Sequence, residues 1–493
     1  MIPLTLADVA AVVGGRLHNA TGTETVTGNV EFDSRKLGPG DLFVAVPGER
    51  VDGHDFAAAA IEAGAVGVLA AREVPVPSVL VPPVEWQLSR AHALAGDTDG
   101  SGAAVLAALA ALARSVVDRL TPGGLAVVGV TGSSGKTSTK DLIAGVLGRL
   151  GPTVAPPGSF NNELGHPYTV LRADEQTRHL VLELSARGVG HIAALCRIAP
   201  PRIGAVLNVG TSHLGEFGSR EAIAQAKGEL VEALPSAAAG GLAVLNADDP
   251  LVAAMAARTT ARVVFAGESP AANVRAVDLT TDEQARAAFR LVTPAGEAKV
   301  RLGLHGEHHV GNALTTAAIA LELGMDLAEV ADALGAARPV SRRRMEVTTR
   351  PDGVTVINDA YNANPESMRA ALRALVTMAT AGGGEPRRSW AVLGAMGELG
   401  DDAAEGHDEI GKLAVRLDVS RLVVIGEEAK AMHQGAHLEG PTGEGSVLVP
   451  DVDAAVALLR DELRPGDVVL VKASNVHGLW HVADALLAAG GVA

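Results

Sequence analysis

The sequence contains very little cysteine and few aromatic residues. Cys196 is the only cysteine in 493 residues, which excludes intramolecular disulfides and any CxxC metal or redox framework. This cysteine usage is typical of a reducing compartment, so we predict a cytoplasmic protein. Aromatic residues make up only 2% of the chain, which argues against stacking platforms for nucleic-acid bases.

Excess positive charge and long apolar runs are also missing. The formal net charge is -16, so the chain is not a general binder of phosphate backbones, and we expect no nucleic-acid partner. The Ala-rich stretch 103–113 is too short to cross a bilayer, which requires about 20 residues. The N-terminus lacks the basic region of a signal peptide. We therefore expect no membrane association, and an anionic ligand must be held by local Lys, Arg and backbone N–H groups.

The chain is long enough for several domains, and its patterning divides into three blocks. Short β-rich runs separated by Gly and Pro occupy residues 1–120, and this block ends in an Ala-rich helical stretch. Apolar strand candidates alternate with helical segments over 121–340 and again over 341–493. Such alternation is typical of parallel sheets that are covered on both faces. The predicted fold class is α/β with three domains: a small α/β domain, a central P-loop domain with a mostly parallel sheet, and a Rossmann-like doubly wound domain.

The strongest local signal is the segment 125–140, LAVVGVTGSSGKTSTK, in which an apolar run leads into a Gly-rich loop. Gly132 and Gly135 allow backbone N–H groups to approach phosphate oxygens. Lys136 supplies a positive charge there, and Thr137 can ligate Mg²⁺. Val130 stands where the usual pattern has a glycine, so the loop is a shortened variant, which argues against a generic GTPase or motor ATPase. The alternative interpretation is an ordinary Gly-rich turn between a strand and a helix.

Polar residues follow other strand candidates of the central block. Glu183 lies near the end of the run 180–185, and His213 comes shortly after the run 203–209. Ligands bind at this edge of open α/β sheets, so both side chains could complete a Mg²⁺ shell, although His is an unusual ligand for this ion. Asn161 and Asn162 suit a polar, neutral ligand portion, but adjacent asparagines are also common turn residues. Taken alone, Glu183 and His213 can also be interpreted as surface residues, and the two asparagines as turn residues.

Three further features have two interpretations each. Lys227 lies in the helical segment 219–234, where a lysine is ordinarily a solvated surface charge. The segment 341–346, SRRRME, is either a basic linker or an anion clamp between domains. Asp359, Tyr361 and Asn362 follow the third-block strand candidate that begins at residue 354, so we expect them at the ligand edge of that sheet.

The order and spacing of these motifs resemble the Mur ligases of bacterial cell-wall synthesis, over essentially the whole chain. The resemblance is carried by DSR (33–35), GDLFVA (40–45), TGSSGKTST (131–139), FNNELGHP (160–167), ELS (183–185), NVGTSHLGEFGS (208–219), AKGE (226–229), LNADDP (245–250), GEHHVGN (306–312) and RRME (343–346). Together with FNNELGHP, the segment DAYNANPESM (359–368) favours the members that add D-alanyl-D-alanine. Asn475 departs from the family pattern, in which arginine is common at that position.

The resemblance implies an ATP-dependent ligase that joins D-alanyl-D-alanine to UDP-N-acetylmuramoyl-tripeptide through an acyl phosphate. It implies ATP and two Mg²⁺ ions as cofactors, and we expect a monomer. The alternative within the family is the ligase that adds diaminopimelate or lysine to UDP-muramyl-dipeptide, but the Asp-Asn-Pro-Arg signature typical of that ligase does not occur here. A rival outside the ligases is a P-loop nucleotide switch that has lost ligase activity.

The resemblance also implies roles for individual residues. The nucleotide would be held by Gly132, Ser133, Ser134, Gly135, Lys136, Thr137, Ser138, His308, Asn312 and Arg344. The metal ligands would be Thr137, Glu183, His213 and Lys227, the last of these as a carbamate formed with CO₂. The catalytic set would be Lys136, Lys227, His213, Arg344 and Asp359. The substrates would contact Ser34, Arg35, Asn161, Asn162, Ser185, Tyr361 and Asn362, with residues 1–120 binding the UDP-muramyl part and residues 341–493 the dipeptide.

Overall fold

The structure is a computed structural model, and it describes residues 1–48, 51–84, 97–212, 214–381, 386–440 and 445–489. Over these residues the chain forms one two-stranded ladder and three larger sheets of five, nine and six strands. Each larger sheet draws its strands from one of the three predicted blocks, in agreement with the predicted α/β class. Among the described residues, no helix has both the length and the apolar character needed to cross a membrane.

The first part of the chain contains short elements. They are β1 (Leu4–Thr5), α1 (Leu6–Val13), β2 (Arg16–His18), β3 (Thr25–Val26), β4 (Val30–Glu31), β5 (Leu42–Val44), α2 (Ala57–Glu62), β6 (Gly67–Ala70), β7 (Ser78–Leu80) and α3 (Ser101–Leu120). Strands β1 and β3 form the ladder, and the five-stranded sheet has the order β2-β7-β6-β5-β4 with only β2 antiparallel. Helix α3 is the predicted Ala-rich stretch, and it packs against α1.

The middle part contains the nine-stranded sheet. Its elements are β8 (Ala126–Thr131), α4 (Lys136–Leu147), β9 (Thr153–Val154), α5 (Gly165–Val170), β10 (His179–Glu183), α6 (His191–Ile198), β11 (Ile203–Val206), α7 (Leu214–Phe217), α8 (Arg220–Glu232), β12 (Leu242–Asn246), α9 (Pro250–Ala253), β13 (Arg262–Gly267), β14 (Val274–Thr281), β15 (Arg286–Thr293), β16 (Gly296–His305), α10 (His309–Glu322) and α11 (Leu327–Ala336). The order is β16-β15-β14-β13-β12-β11-β8-β10-β9. All neighbours are parallel except the β14–β15 and β15–β16 pairs, so the sheet is mostly parallel as predicted.

The last part is the doubly wound unit. Its elements are β17 (Glu346–Thr349), β18 (Thr355–Asn358), α12 (Pro365–Thr380), β19 (Ser389–Leu393), α13 (Ala403–Arg416), β20 (Arg421–Ile425), α14 (Lys430–Glu439), β21 (Ser446–Val449), α15 (Val452–Glu462), β22 (Val468–Lys472) and α16 (Trp480–Ala489). The order is β17-β18-β22-β19-β20-β21, with β17 antiparallel and the others parallel.

The local sequence explains the elements that position the site. All six residues of β8 are buried, as a continuous apolar run in a parallel sheet requires. Asn364 caps α12 through a hydrogen bond from the Ser367 N–H, and Pro365 at the first helical position fits the start of that helix. Helix α3 packs on α5 and α6 as well as on α1, so one apolar core extends from the first sheet into the central unit.

Candidate functional site

A cleft of about 840 Å³ lies at the carboxyl ends of the central and third sheets. Most of the predicted site residues line it: Ser133, Ser134, Gly135, Lys136, Thr137, Ser138, Asn161, Asn162, Glu183, Ser185, His308, Asn312, Arg344, Asp359, Tyr361 and Asn362. They are widely separated in the sequence, and parallel topology brings them together because the carboxyl ends of the strands share one edge. His213 lies outside the described residues.

The loop between β8 and α4 has the geometry of an anion site. Gly135 adopts φ 78°, a left-handed conformation that favours glycine, and a Cβ there would lie 3.0 Å from Asn312 Oδ1. No side chain of the described residues caps the N-terminus of α4, and residues 135–138 at the start of this helix line the cleft, so first-turn N–H groups are available there. Lys136 Nζ donates to Gly132 O at 2.7 Å and thus lies along the loop. Burial lowers the pKa of Lys136, an effect that the nearby Glu183 carboxylate opposes.

Asn208, which the sequence analysis did not identify, holds this loop from the end of β11. Its Oδ1 accepts hydrogen bonds from the Ser133 and Ser134 N–H groups, both at 2.9 Å. Its Nδ2 donates to Ser134 O at 3.2 Å. The amide therefore braces both sides of the shortened loop. In the sequence, Asn208 lies within the strand candidate 203–209 and begins the motif NVGTSHLGEFGS (208–219), but neither signal shows its contact with the loop.

A buried group of oxygen atoms lies beside the loop. Glu183 is 1% exposed, and its Oε2 accepts from Thr137 Oγ1 at 2.9 Å. Its Oε1 accepts from Asn161 Nδ2 at 2.7 Å and from Ser159 Oγ at 3.2 Å. Among the described residues, no three His, Cys, Asp or Glu side chains are grouped as a metal site. Hydroxyl and carboxylate oxygens of Thr137 and Glu183 nevertheless form a pair of the kind that hard cations prefer.

The three arginines of the segment 341–346 have different surroundings. Arg344 Nη2 donates to Thr137 Oγ1 at 3.1 Å, and the guanidinium lies 4.2 Å from the centre of the Tyr361 ring. Arg343 instead stacks on Trp480 at 3.8 Å, while Arg342 is exposed. Only Arg344 of the three lines the cleft. The segment therefore places one cation at the nucleotide loop and does not act as a cluster.

Asp359 is paired with a lysine that the sequence analysis did not single out. Lys472 Nζ donates to Asp359 Oδ2 at 2.6 Å and to Asn362 O at 2.8 Å, and both charged side chains are buried. Asp359 Oδ1 accepts from the Met345 N–H at 3.0 Å. Nearby, burial lowers the pKa of His308 to about 4, so this imidazole is neutral at neutral pH. The signal for Lys472 was a lysine that ends an apolar strand.

Lys227 is buried in α8 and is not a solvated surface charge. It is only 3% exposed, and it forms no hydrogen bond or ion pair with any other described residue. Burial, together with the positive charge of Lys136, lowers the pKa of Lys227 well below its usual value. Burial therefore disfavours the ammonium form of this side chain relative to the neutral amine. The positive charge of Lys136 acts on the Lys227 amine, but Lys227 does not line the cleft.

The residues predicted to contact the UDP-muramyl substrate divide into two groups. Ser185 Oγ donates to Asn161 Oδ1 at 3.0 Å, and Asn162 Oδ1 accepts from the Gly165 N–H at 2.9 Å in a turn. Ser34 and Arg35 lie away from the cleft, in a short 3₁₀ turn of the first unit. The Arg35 side chain is 86% exposed and pairs with Asp33.

An aromatic cluster lies beside this region. The rings of Phe32, Phe160 and Tyr168 pack together with centroids 5.2–6.3 Å apart, and Tyr168 Oη donates to Glu31 Oε2 at 3.1 Å. They join the first unit to the loop that carries Asn161.

On the other side of the nucleotide loop, a pocket of about 270 Å³ opens between α4, the end of β16 and residues 336–341.

Comparison with known proteins agrees with this geometry. Residues 27–112 match the Mur ligase family catalytic domain, 130–320 the Mur ligase middle domain, and 343–475 the Mur ligase glutamate ligase domain. The UDP-N-acetylmuramoyl-tripeptide–D-alanyl-D-alanine ligase of Mycobacterium tuberculosis H37Rv is 60% identical over 508 residues, covering 99% of this chain and 98% of the relative. The ligase of the same name from Escherichia coli K12 is 32% identical, with 88% of each chain covered.

Solved structures show the same similarity over the whole chain. MurF from Acinetobacter baumannii has a TM-score of 0.83 at 28% identity and covers 99% of both chains. MurF ligase from Thermotoga maritima in complex with ADP has a TM-score of 0.77 at 28% identity, covering 94% of this chain and 98% of that one. These similarities confirm the resemblance inferred from the motifs and the three-domain α/β architecture. The chain belongs to the Mur ligase family.

Proposed function

We propose that the protein is an ATP-dependent ligase that joins D-alanyl-D-alanine to UDP-N-acetylmuramoyl-tripeptide, giving the pentapeptide precursor of peptidoglycan, ADP and phosphate. One observation carries the proposal: the loop 132–138, the Thr137–Glu183 pair and Arg344 converge on one cleft with the carboxyl edge of the third sheet. A ligase that activates a carboxylate with ATP needs this convergence, because nucleotide, carboxylate and amine must meet.

Similarity favours this activity over the diaminopimelate-adding or lysine-adding alternative. The relatives named for D-alanyl-D-alanine addition reach 60% identity over 99% of this chain. A solved UDP-N-acetylmuramoyl-L-alanyl-D-glutamate–2,6-diaminopimelate ligase is only 18% identical at a TM-score of 0.51, a likeness that indicates the fold alone. The absence of an Asp-Asn-Pro-Arg segment from the sequence points in the same direction.

The proposed division of labour follows the three sheets. Residues 1–120 would hold the UDP-muramyl substrate, 121–340 the nucleotide, and 341–493 the dipeptide. The uncapped first turn of α4 and the Lys136 ammonium would hold the phosphates, because both supply positive potential to anionic oxygens. The 270 Å³ pocket between α4 and residues 336–341 is adjacent to this loop, and it is the place that we assign to the adenine ring.

The donor set fits Mg²⁺. The buried Thr137 hydroxyl and Glu183 carboxylate offer the oxygen ligands that this ion prefers. Bound there, Mg²⁺ would neutralise phosphate charge and orient the transferring group. The second ion, and the role of His213 as a ligand, stay predictions.

Lys227 suits the predicted carbamate because CO₂ reacts with neutral amines, and burial disfavours its ammonium form. The absence of a partner for Lys227 among the described residues also leaves its amine available. A carbamate at this position would replace a cation by an anion beside Lys136.

The remaining residues would position and stabilise charge. The tripeptide carboxylate attacks the γ-phosphorus of ATP, and ADP leaves; the dipeptide amine then attacks the acyl carbon, and phosphate leaves as the amine loses its proton. Arg344 lies where it can neutralise the transferring phosphoryl group, since it already reaches Thr137. The Lys472–Asp359 pair fixes the loop that carries Tyr361 and Asn362 at the dipeptide edge.

Phosphate release from ATP tests the proposal. The purified chain is supplied with UDP-muramyl-tripeptide, with or without D-alanyl-D-alanine, and in parallel with UDP-muramyl-dipeptide and diaminopimelate or lysine. We expect stoichiometric release only with the tripeptide and D-alanyl-D-alanine, and a loss of about 10²–10³-fold in the Lys136→Ala variant. Release with the dipeptide substrate instead would favour the alternative, and ATP hydrolysis that ignores every acceptor would favour a nucleotide switch. The cytoplasmic location and the monomeric state stay predictions.

A further inference from the structure

The segment 208–212, which we name the bridging loop, is bonded to the nucleotide loop along one side. Asn208 Oδ1 accepts from the N–H groups of Ser133 and Ser134, both at 2.9 Å. The Gly210 N–H donates to Ser133 Oγ at 2.9 Å, and Ser212 Oγ donates to Ser133 O at 3.1 Å. Every polar group of Ser133 is thereby engaged by the bridging loop. The position of Ser133 depends on where that loop lies.

The opposite side of the bridging loop is bonded to the start of α12 in the third unit. Glu366 Oε1 accepts from the Thr211 N–H at 3.0 Å and from Thr211 Oγ1 at 3.1 Å. Asn364, the N-cap of α12, donates from Nδ2 to Ser212 Oγ. Hydrogen bonds to a carboxylate are roughly twice as strong as neutral ones, so Glu366 makes the stronger of the two attachments.

Gly210 allows this close approach. A Cβ at position 210 would lie 2.8 Å from both Cδ and Oε1 of Glu366. The atoms that would be met belong to the end of a flexible side chain, so an alanine would displace the carboxylate without forcing the backbone apart. Gly210 has no positive φ, and the substitution therefore adds no backbone strain.

We propose that Glu366 is a positioning residue that couples the docking of the third unit to the shape of the nucleotide loop. Its carboxylate fixes Thr211, the bridging loop transmits that position to Ser133, and the nucleotide loop in turn sets where the first-turn N–H groups of α4 meet the phosphates. Dipeptide and nucleotide would thus be bound by elements that share one hydrogen-bonded loop. The inference deepens the proposed function and rests on it for its meaning in the ligation reaction.

Nucleotide affinity tests the coupling without any ligation. Dissociation constants for MgADP are measured by calorimetry on the full chain for wild type, Glu366→Ala, Gly210→Ala and Asp453→Ala. Asp453 is the matched control because it is also an acidic residue in the first turn of a third-unit helix, and it is exposed. We expect affinity to fall about tenfold in both Glu366→Ala and Gly210→Ala, although Glu366 has no bond to the nucleotide loop itself. Affinities equal to that of the control would overturn the proposal.

A double-variant cycle tests the route. Thr211→Val removes one donor to Glu366, so Thr211→Val combined with Glu366→Ala should bind MgADP no more weakly than Glu366→Ala alone. Effects that multiply would mean that Glu366 acts elsewhere, and the route would be wrong. If the melting temperature shows that Glu366→Ala is unfolded, Gly210→Ala still tests the coupling, since this variant retains both Thr211 and Glu366. A wild type that binds MgADP but does not ligate would contradict the proposed function and leave this coupling measurable.

Discussion

Lys472 and Asp359 form a 2.6 Å ion pair at the carboxyl ends of β22 and β18, largely buried in the wall of the cleft. Asp359 also accepts from the Met345 N–H, and Lys472 donates to Asn362 O. The pair therefore ties the linker from the central unit to the loop at the dipeptide edge. Because both charged groups are shielded from water, removing either partner leaves an unpaired buried charge and destabilises the fold.

Replacing Lys472 by methionine should lower the free energy of unfolding by about 3–5 kcal/mol, because the Asp359 charge would then be buried without its partner. Urea unfolding of the full chain, followed by circular dichroism, measures this. The double variant Lys472→Met with Asp359→Asn should recover part of the loss. The matched control is Lys430→Met, which breaks the exposed Lys430–Glu427 pair and should cost no more than about 1 kcal/mol. Equal losses at the two sites would contradict the role assigned to burial.

Arg344→Ala should reduce ligation by about 10²-fold while leaving the affinity for the UDP-linked substrate nearly unchanged. The guanidinium reaches Thr137 on the nucleotide loop, whereas the UDP-linked substrate is assigned to residues 1–120 and to the region of Asn161 and Ser185. Arg342→Ala is the control, since it removes the same charge from the same segment at an exposed position. Steady-state turnover at saturating ATP, together with substrate titration, separates the two effects. Similar turnover in both variants would support the interpretation of the segment 341–346 as a basic linker.

The parts of the site that lie in one short segment could be predicted from the sequence. The loop 132–138 follows a buried strand and precedes a helix, and its composition alone indicates its chemistry. The elements around it were likewise predicted at nearly their observed bounds: the run 203–209 contains β11, and the helical segment 219–234 contains α8. Local patterning suffices where one element determines the geometry.

Residues that act across elements could not be predicted in this way. Asn208, Glu366 and Lys472 acquire their partners only when strands and units pack together, and no spacing in the sequence shows those pairs. The antiparallel β14–β16 meander was also missed, although β15 has the strictly alternating burial that its side chains suggest. Lys227 gave no sign of its burial, because a lysine on a helix is most often exposed.

Lys227→Ala should be nearly inactive and should regain some ligation when short carboxylic acids such as acetate or formate are added. The added acid would occupy the place of the carbamate and restore an anion beside Lys136. Lys227→Arg should not be rescued, because the guanidinium fills the space and stays charged. Ligation measured against acid concentration tests this, with Lys299→Ala as a control for an exposed lysine. Full activity of Lys227→Ala without added acid would eliminate the carbamate.

His166 predicts how the fold responds to acid. It is fully buried in α5, neither ring nitrogen makes a well-formed hydrogen bond among the described residues, and burial lowers its pKa to about 4. Between pH 6.5 and 4 the unfolded chain binds a proton at this imidazole that the folded chain does not, so stability falls as the pH falls. The substitution His166→Leu removes the contribution of this imidazole to the pH dependence of stability. Between pH 7 and 5 this variant should therefore lose about 2 kcal/mol less unfolding free energy than wild type in urea titrations. The exposed control His437→Gln should follow wild type, and a His166→Leu variant that does the same would show that this imidazole is solvated in the folded state.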